Sequence, residues 1–316
     1  MVRLDFGKVF YRTNPYCLGM LENDPRVPAT FSILGPVRAW RRDGQELDLG
    51  SRQQRTILAM LLLHEGAVAT LDELIVGIWG DEPPRSAVTT IRTYVSRLRA
   101  IFGGADPDQA VRLNSVAGGY SLQIPADALD LPRFRQHTAR AAEAARRGDW
   151  RAAAAELHAA LDLWHGQPLT GTLGPYVQGQ RVRLQQLGAA ARIDLISAQI
   201  KLGQHRAVLP ELAAMVDTHP LWEDVQALYM TALYGCGRVA EALAHYRHAR
   251  KLLVQDLGIE PGARLRDVHR RILAGDPSLI AVPARPALRS VRERTRPSVL
   301  MRGRHHSRIS RRRLPQ

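Results

Sequence analysis

The residues whose types and spacing suit chemistry lie between Arg85 and Phe102, and that chemistry is recognition. In SAVTTIRTYVSRLRAIF, Ile91, Val95, Leu98 and Phe102 recur at i, i+4, i+7 and i+11, one apolar stripe of a helix. The opposite side carries Thr89, Thr90, Arg92, Thr93, Ser96, Arg97 and Arg99, with Arg85 just ahead of it and no acid among them. At 1.5 Å per residue such a helix spans roughly 25 Å, enough to cross a DNA major groove. Arg forks onto guanine, a Thr methyl meets thymine, and Ser or Thr hydroxyls bond phosphate. A lone basic helix is more often only a solvated face. The flanking elements therefore decide the reading.

The chain carries few groups for any other chemistry. There is no GxxxxGK[ST] phosphate loop, no HExxH and no GxSxG. His305-His306 sits in a basic C-terminal stretch. His137, His158, His205, His219, His245 and His248 are scattered over helical segments, where surface or half-buried positions explain them better than catalysis. Cys17 and Cys236 are far apart with no CxxC, so neither a zinc site nor a disulfide framework is expected, and no cofactor is assigned. An enzyme is not the expectation.

Length and charge set the frame. A chain of 316 residues accommodates two domains with cores of their own. No apolar run reaches membrane-spanning length, and MVRLDFGKVFYRTNPYC lacks a signal peptide's apolar segment, so a cytoplasmic, nucleoid-associated protein is expected. The formal charge is +14, but residues 276–316 contribute eleven Arg against Asp276 and Glu293. Residues 30–125 hold ten Arg and ten acids, with four of those Arg between Arg85 and Arg99. Charge there is segregated, not in excess.

The elements that would position the Arg-rich helix read as follows. Residues 1–29, with Asn14-Pro15, Asp24-Pro25 and Pro28, form a disordered leader in which Met20 is an alternative start. They are too few for a phosphorylatable receiver domain. Phe31–Trp40 reads as a strand, Arg41-Arg42-Asp43-Gly44 as a turn and Glu46–Leu49 as a short return strand. Ser51-Arg52-Gln53-Gln54 and Thr70-Leu71-Asp72-Glu73 fit capping boxes opening two helices. The first buries Ile57, Leu58, Leu61 and Leu62 and ends at Gly66. The second buries Leu74, Ile75, Ile78 and Trp79 and stops at Gly80. Pro83-Pro84 turns the chain into the third helix, closed by Gly103-Gly104. Val111, Leu113, Tyr120, Leu122 and Ile124 alternate about Gly118-Gly119 as a β-hairpin. A sheet, three helices and a hairpin make a winged helix over residues 30–125.

From Phe134 to Ala274 the sequence is helical and rich in Ala and Leu. Leu202-Gly203-Gln204 and Cys236-Gly237-Arg238 lie 34 residues apart, the tetratricopeptide period, so Leu209 matches Leu243 and Leu212 matches Tyr246. Arg147-Gly148-Asp149-Trp150 opens a similar helix out of phase, which implies an insertion near Thr170–Gln180. The expected fold is thus mainly α: an N-terminal winged helix-turn-helix with a small β-sheet and wing, then an all-α tetratricopeptide-like domain over 126–275, then a basic disordered tail over 276–316. Stacked helix pairs build surfaces for proteins.

In this order the elements resemble the Streptomyces antibiotic regulatory protein family, the AfsR/DnrI/RedD-type activators, in its short form. The similarity runs from about Phe31 to Ala274. FSILGPV and IRTYVSRLR look like an OmpR-type winged helix. ALDLWHGQPL, GRVAEALAHYRHARKLL and DLGIEPGARL look like a bacterial transcriptional activation domain. The resemblance implies an activator of a secondary-metabolite (antibiotic) gene cluster. It would bind double-stranded promoter DNA at direct repeats near the −35 element, as a homodimer on DNA, and recruit RNA polymerase through its sigma subunit and neighbours. It places Thr93 and Arg97 on base edges and Arg99 on phosphate. Arg85, Thr89, Arg92 and Ser96 complete the recognition helix, and Arg52, Arg112, Gly118, Gly119 and Tyr120 supply backbone and wing contacts. Position 96 is often Arg in relatives and is Ser here. The wing, Ser115-Val116-Ala117-Gly118-Gly119-Tyr120, lacks the Arg that relatives place before Gly-Tyr, so either it meets backbone only or Arg112 substitutes from the strand. A repressor with the same DNA domain and a protein-interaction scaffold remain the alternatives.

Overall fold

The computed structural model describes residues 30–41, 43–102 and 111–280. The leader, Gly103-Gly104, His305-His306 and the tail beyond Ile280 lie outside them. Five short strands and ten α-helices are formed among the described residues. The N-terminal expectation needs correction. Phe31–Trp40 is not one strand but two, β1 (Thr30–Ser32) and β2 (Arg38–Trp40), paired antiparallel with Thr30 opposite Trp40. Residues 33–37 between them turn their backbone bonds to a distant segment instead. The return strand at Glu46–Leu49 shrinks to one bridge, Trp40 to Glu46, beside a bond from Leu47 N–H to the Ala39 carbonyl.

The helix-turn-helix follows from local sequence. In α1 (Arg52–Leu63) the Ser51 hydroxyl accepts from the Gln54 N–H, the forward half of the expected box. The Gln54 side chain is buried. In α2 (Leu71–Trp79) both halves of the Thr70–Glu73 box form, and Gly80 caps the end at φ +68°. Leu74 and Ile78 are buried there, while Ile75 and Trp79 are only partly so. The third helix, α3 (Ala87–Ile101), starts at Ser86 and buries Ile91, Val95 and Leu98. Phe102 continues the stripe, edge-on to Phe31 at 5.6 Å. The hairpin is β4 (Arg112–Val116) and β5 (Gly119–Gln123), with Ala117-Gly118 at its turn. A further strand, β3 (Ala69–Thr70), pairs with β5, giving the order β3-β5-β4.

Seven helices follow: α4 (Asp130–Arg146), α5 (Trp150–Leu161), α6 (Pro175–Lys201), α7 (His205–Thr218), α8 (Glu223–Gly235), α9 (Val239–Leu257) and α10 (Ala263–Leu273). The three matching turns fall at Gly148, Gly203 and Gly237, with φ of +73°, +79° and +75°. The insertion expected near Thr170–Gln180 falls only partly there: residues 175–180 open α6, and the non-helical strap is residues 162–174, which crosses to the winged helix. Leu169 N–H donates to the Ile33 carbonyl (3.0 Å), Thr170 N–H to that of Gly35 (3.2 Å), and Val37 N–H to that of Thr170 (3.0 Å). This is where the interior of Phe31–Trp40 finds its bonds. Asp276–Leu279, read from sequence as tail, is packed: Leu279 is buried against α8–α10 and Arg271 pairs with Asp276 at 2.8 Å. His205, expected at or near the surface, is buried.

Candidate nucleic-acid interface

The stripe of α3 is fixed from below. Ile91, Val95 and Leu98 are fully enclosed by α1, α2 and the sheet. Tyr94 adds a polar lock, its hydroxyl donating to Gln53 Oε1 of α1 at 2.9 Å. With this side buried, helical geometry turns Thr89, Arg92, Thr93, Ser96 and Arg97 outward, and all five are exposed. Arg85 is exposed ahead of the first turn. Among the described residues none of Arg85, Arg92, Arg97 and Arg99 pairs with a carboxylate. Elsewhere Arg38, Arg135, Arg192, Arg238, Arg250 and Arg264 each do. The Arg97 guanidinium lies over the Tyr94 ring, 5.9 Å from its centroid, a cation–π contact that favours this orientation of a long side chain. The Thr93 hydroxyl donates to the Thr89 carbonyl (2.9 Å) on the exposed side of the helix.

Arg99 differs from the others. It is half-buried, with Nε donating to the Leu113 carbonyl and Nη2 to Ser115 Oγ, both at 2.8 Å. Sequence reading missed this link to the wing, and only the shared proximity of α3 and β4 reveals it. Arg52 is exposed at the first position of α1, and Arg112 is exposed on β4. Gly118 is exposed at the hairpin turn with φ +81°. Gly119 and Tyr120 are half-buried in β5. A Cβ at Gly119 would sit 2.2 Å from the Ala69 carbonyl oxygen, so glycine there lets β3 close on the wing. Glu73 is held below the usual carboxylate range, first by the Thr70 N–H and then by its hydroxyl, so the cap beneath the wing is ionised at neutral pH. The described residues hold no cluster of metal-ligating side chains, and no helix among them is long and apolar enough to cross a membrane.

Residues 44–122 match the family model "Transcriptional regulatory protein, C terminal", and residues 129–273 match "Bacterial transcriptional activator domain". Regulatory protein DnrI of Streptomyces peucetius is 33% identical over 255 residues, covering 79% of this chain and 93% of that protein. The chain belongs to the Streptomyces antibiotic regulatory protein family. Another member, regulatory protein AfsR of Streptomyces coelicolor, is 46% identical over 262 residues, 81% of this chain, but the chain spans only 25% of AfsR. The structure of Mycobacterium tuberculosis EmbR in complex with a low affinity phosphopeptide superposes with a TM-score of 0.74 at 35% identity, covering 79% of this chain and 66% of that one. For a protein of the antibiotic regulatory family, the outward cations of α3 are thus presented on a winged helix continuous with a helical activator-type domain.

Proposed function

We propose that this chain is a sequence-specific DNA-binding transcriptional activator of a secondary-metabolite gene cluster. The observation that carries the reading is the unpaired, acid-free face of α3, with Arg85, Arg92 and Arg97 exposed above a fully buried stripe. In a major groove Thr93 and Arg97 meet base edges and Arg85 and Arg92 meet phosphate, as base and backbone contacts divide in helix-turn-helix proteins. Two copies on direct repeats near a −35 element would place their helical domains beside RNA polymerase. Membership of the antibiotic regulatory family, with the regulatory proteins DnrI and AfsR as relatives, supports regulation of antibiotic pathways, and the match of residues 129–273 supports activation.

The test uses the full chain. Binding of a labelled promoter duplex is titrated at two salt concentrations by anisotropy. Phosphate-led binding weakens by roughly 0.9 log units per contact per log unit of salt, and a flat response overturns the reading. In vitro transcription with polymerase on the same promoter then separates activation, a rise in transcript, from repression, a fall.

A further inference from the structure

The wing is gripped from both sides by the helix-turn-helix. On one side β3, at the entry to α2, pairs Ala69 with Tyr120 and Thr70 with Gly119, and the Leu71 N–H donates to the Gly118 carbonyl at 2.9 Å. On the other side lies β4, which among the described residues pairs with β5 alone. There, beside the apolar packing of Leu113, the hydrogen bonds from α3 among the described residues come from Arg99, which donates from Nε to the Leu113 carbonyl and from Nη2 to Ser115 Oγ. The planar fork of a guanidinium supports two such divergent bonds at fixed geometry, which an ammonium does not. Ser115 immediately precedes Val116 and the turn at Ala117-Gly118, so the grip is applied close to the tip of a hairpin with five-residue strands.

We propose that Arg99 is a positioning residue, not primarily a phosphate contact: it locks the wing to the recognition helix so that both meet DNA as one rigid unit. The inference rests on the DNA-binding reading above. Two donors of Arg99 are taken up by the wing, and Arg99 is the half-buried member of the α3 cation set whose others are exposed. A mobile hairpin has to be ordered at the moment of binding, and that entropic cost is removed when the wing is held beforehand.

The two roles of Arg99 separate by charge and by fork. The probe is a duplex enriched from a random-sequence pool on the wild-type full chain, with a scrambled duplex as control. Arg99→Lys keeps the charge and loses the fork, Arg99→Gln loses the charge, and Ser115→Ala removes one acceptor without touching any charge. Ser115→Thr keeps the hydroxyl. Positioning predicts that Arg99→Lys and Ser115→Ala each weaken the enriched duplex about fivefold, one hydrogen bond's worth. The scrambled duplex and the salt slope should stay at wild-type values, the melting temperature should fall by no more than the few degrees one lost hydrogen bond costs, and Ser115→Thr should bind as wild type. A loss of specificity at constant slope with so small a change in melting temperature is not what a general folding defect produces. Wild-type binding by Arg99→Lys, with Arg99→Gln lowering the salt slope by about 0.9, would make Arg99 a phosphate contact and overturn the proposal. Wild-type behaviour of Ser115→Ala and Arg99→Lys alongside a damaged Arg97→Ala would overturn it while leaving the DNA reading intact. Absence of salt-dependent duplex binding by the wild-type chain would remove the DNA reading and this inference together.

Discussion

At the scale of single residues, Arg97 and Gly119 have opposite jobs on one surface. Arg97 is exposed, unpaired and pre-aimed by the Tyr94 ring. Its loss should leave stability nearly unchanged, cost about 1–3 kcal/mol on the cognate duplex and relax base preference there. Equal weakening on scrambled DNA would identify Arg97 as a backbone contact. Gly119 meets no base in this account. Its missing side chain admits the Ala69 carbonyl, so Gly119→Ala should separate β3 from β5 and lower stability by about 1–3 kcal/mol through strained packing. Thermal melting and hydrogen exchange of residues 69–71 check this. The sequence displayed both residues plainly, but for Gly119 the geometry adds a packing reason that the sequence did not show. Arg97 was readable because helical periodicity alone assigns inside and outside. The Arg99–wing link was not readable, because it depends on how closely a helix and a hairpin approach in space.

At the scale of elements, the winged helix was legible where caps and periodicity agree, as at Thr70–Glu73 and Ile91–Val95–Leu98. It was not legible at Phe31–Trp40, where an unbroken apolar run conceals a switch of bonding partner to the strap. α6 shows the same limit. Val177, Leu184, Ala191, Leu195 and Ala198 face the core shared with the winged helix, while Ile196 and Ile200 face α7 and α8. Two stripes on one helix blur a single apolar period. The α8–α9 layer yields a pH prediction. His245 sits edge-on to Tyr229 at 4.8 Å, its ring bonded to Gln226, whose amide donates to the Pro220 carbonyl at 2.8 Å. Burial, then the nearby His248, lowers His245 to about 4. An unfolded histidine titrates near 6.5. Between those values the unfolded chain takes up a proton that the folded chain refuses, so stability present above pH 6.5 is lost as pH falls toward 4. His205 and His269, also lowered by burial, act in the same direction. Melting temperature should therefore drop from pH 7.5 to pH 5, and the drop should be smaller in His245→Gln. An equal drop in both would remove His245 from the account.

At the scale of the whole molecule, the two family matches, 44–122 and 129–273, do not correspond to two independent cores. One continuous apolar cluster runs from Phe31 through α1–α3 into α4, α5 and much of α6. Its polar seam is equally shared. Buried Asp130, the first residue of α4, accepts from the Ser32 hydroxyl at 2.7 Å, the Ile33 N–H at 2.8 Å and the Leu34 N–H at 2.9 Å. Burial pushes this carboxyl up, and the bonds from Leu34, Ser32 and Ile33 pull against it. The Leu173 N–H donates to the Thr56 hydroxyl at 2.9 Å, and His64 stacks on Tyr176. At Gly174 a Cβ would lie 2.3 Å from the Gly77 carbonyl oxygen, so α6 starts against the end of α2. The helix α3 is therefore carried on a platform built by both halves. A fragment limited to residues 30–125 should be poorly folded, because it strands the Ile33 and Leu34 N–H groups and opens the shared core. The full-chain counterpart is Asp130→Ala, which leaves three buried donors without an acceptor at a cost of about 3–5 kcal/mol. Asp130→Asn retains one acceptor oxygen and should cost less. If the platform is one unit, Asp130→Ala lowers a single melting transition and the Trp164 and α1 amide protection fall together. Two transitions, with only the N-terminal one displaced, would mean that the winged helix and the helical domain fold independently despite their common core.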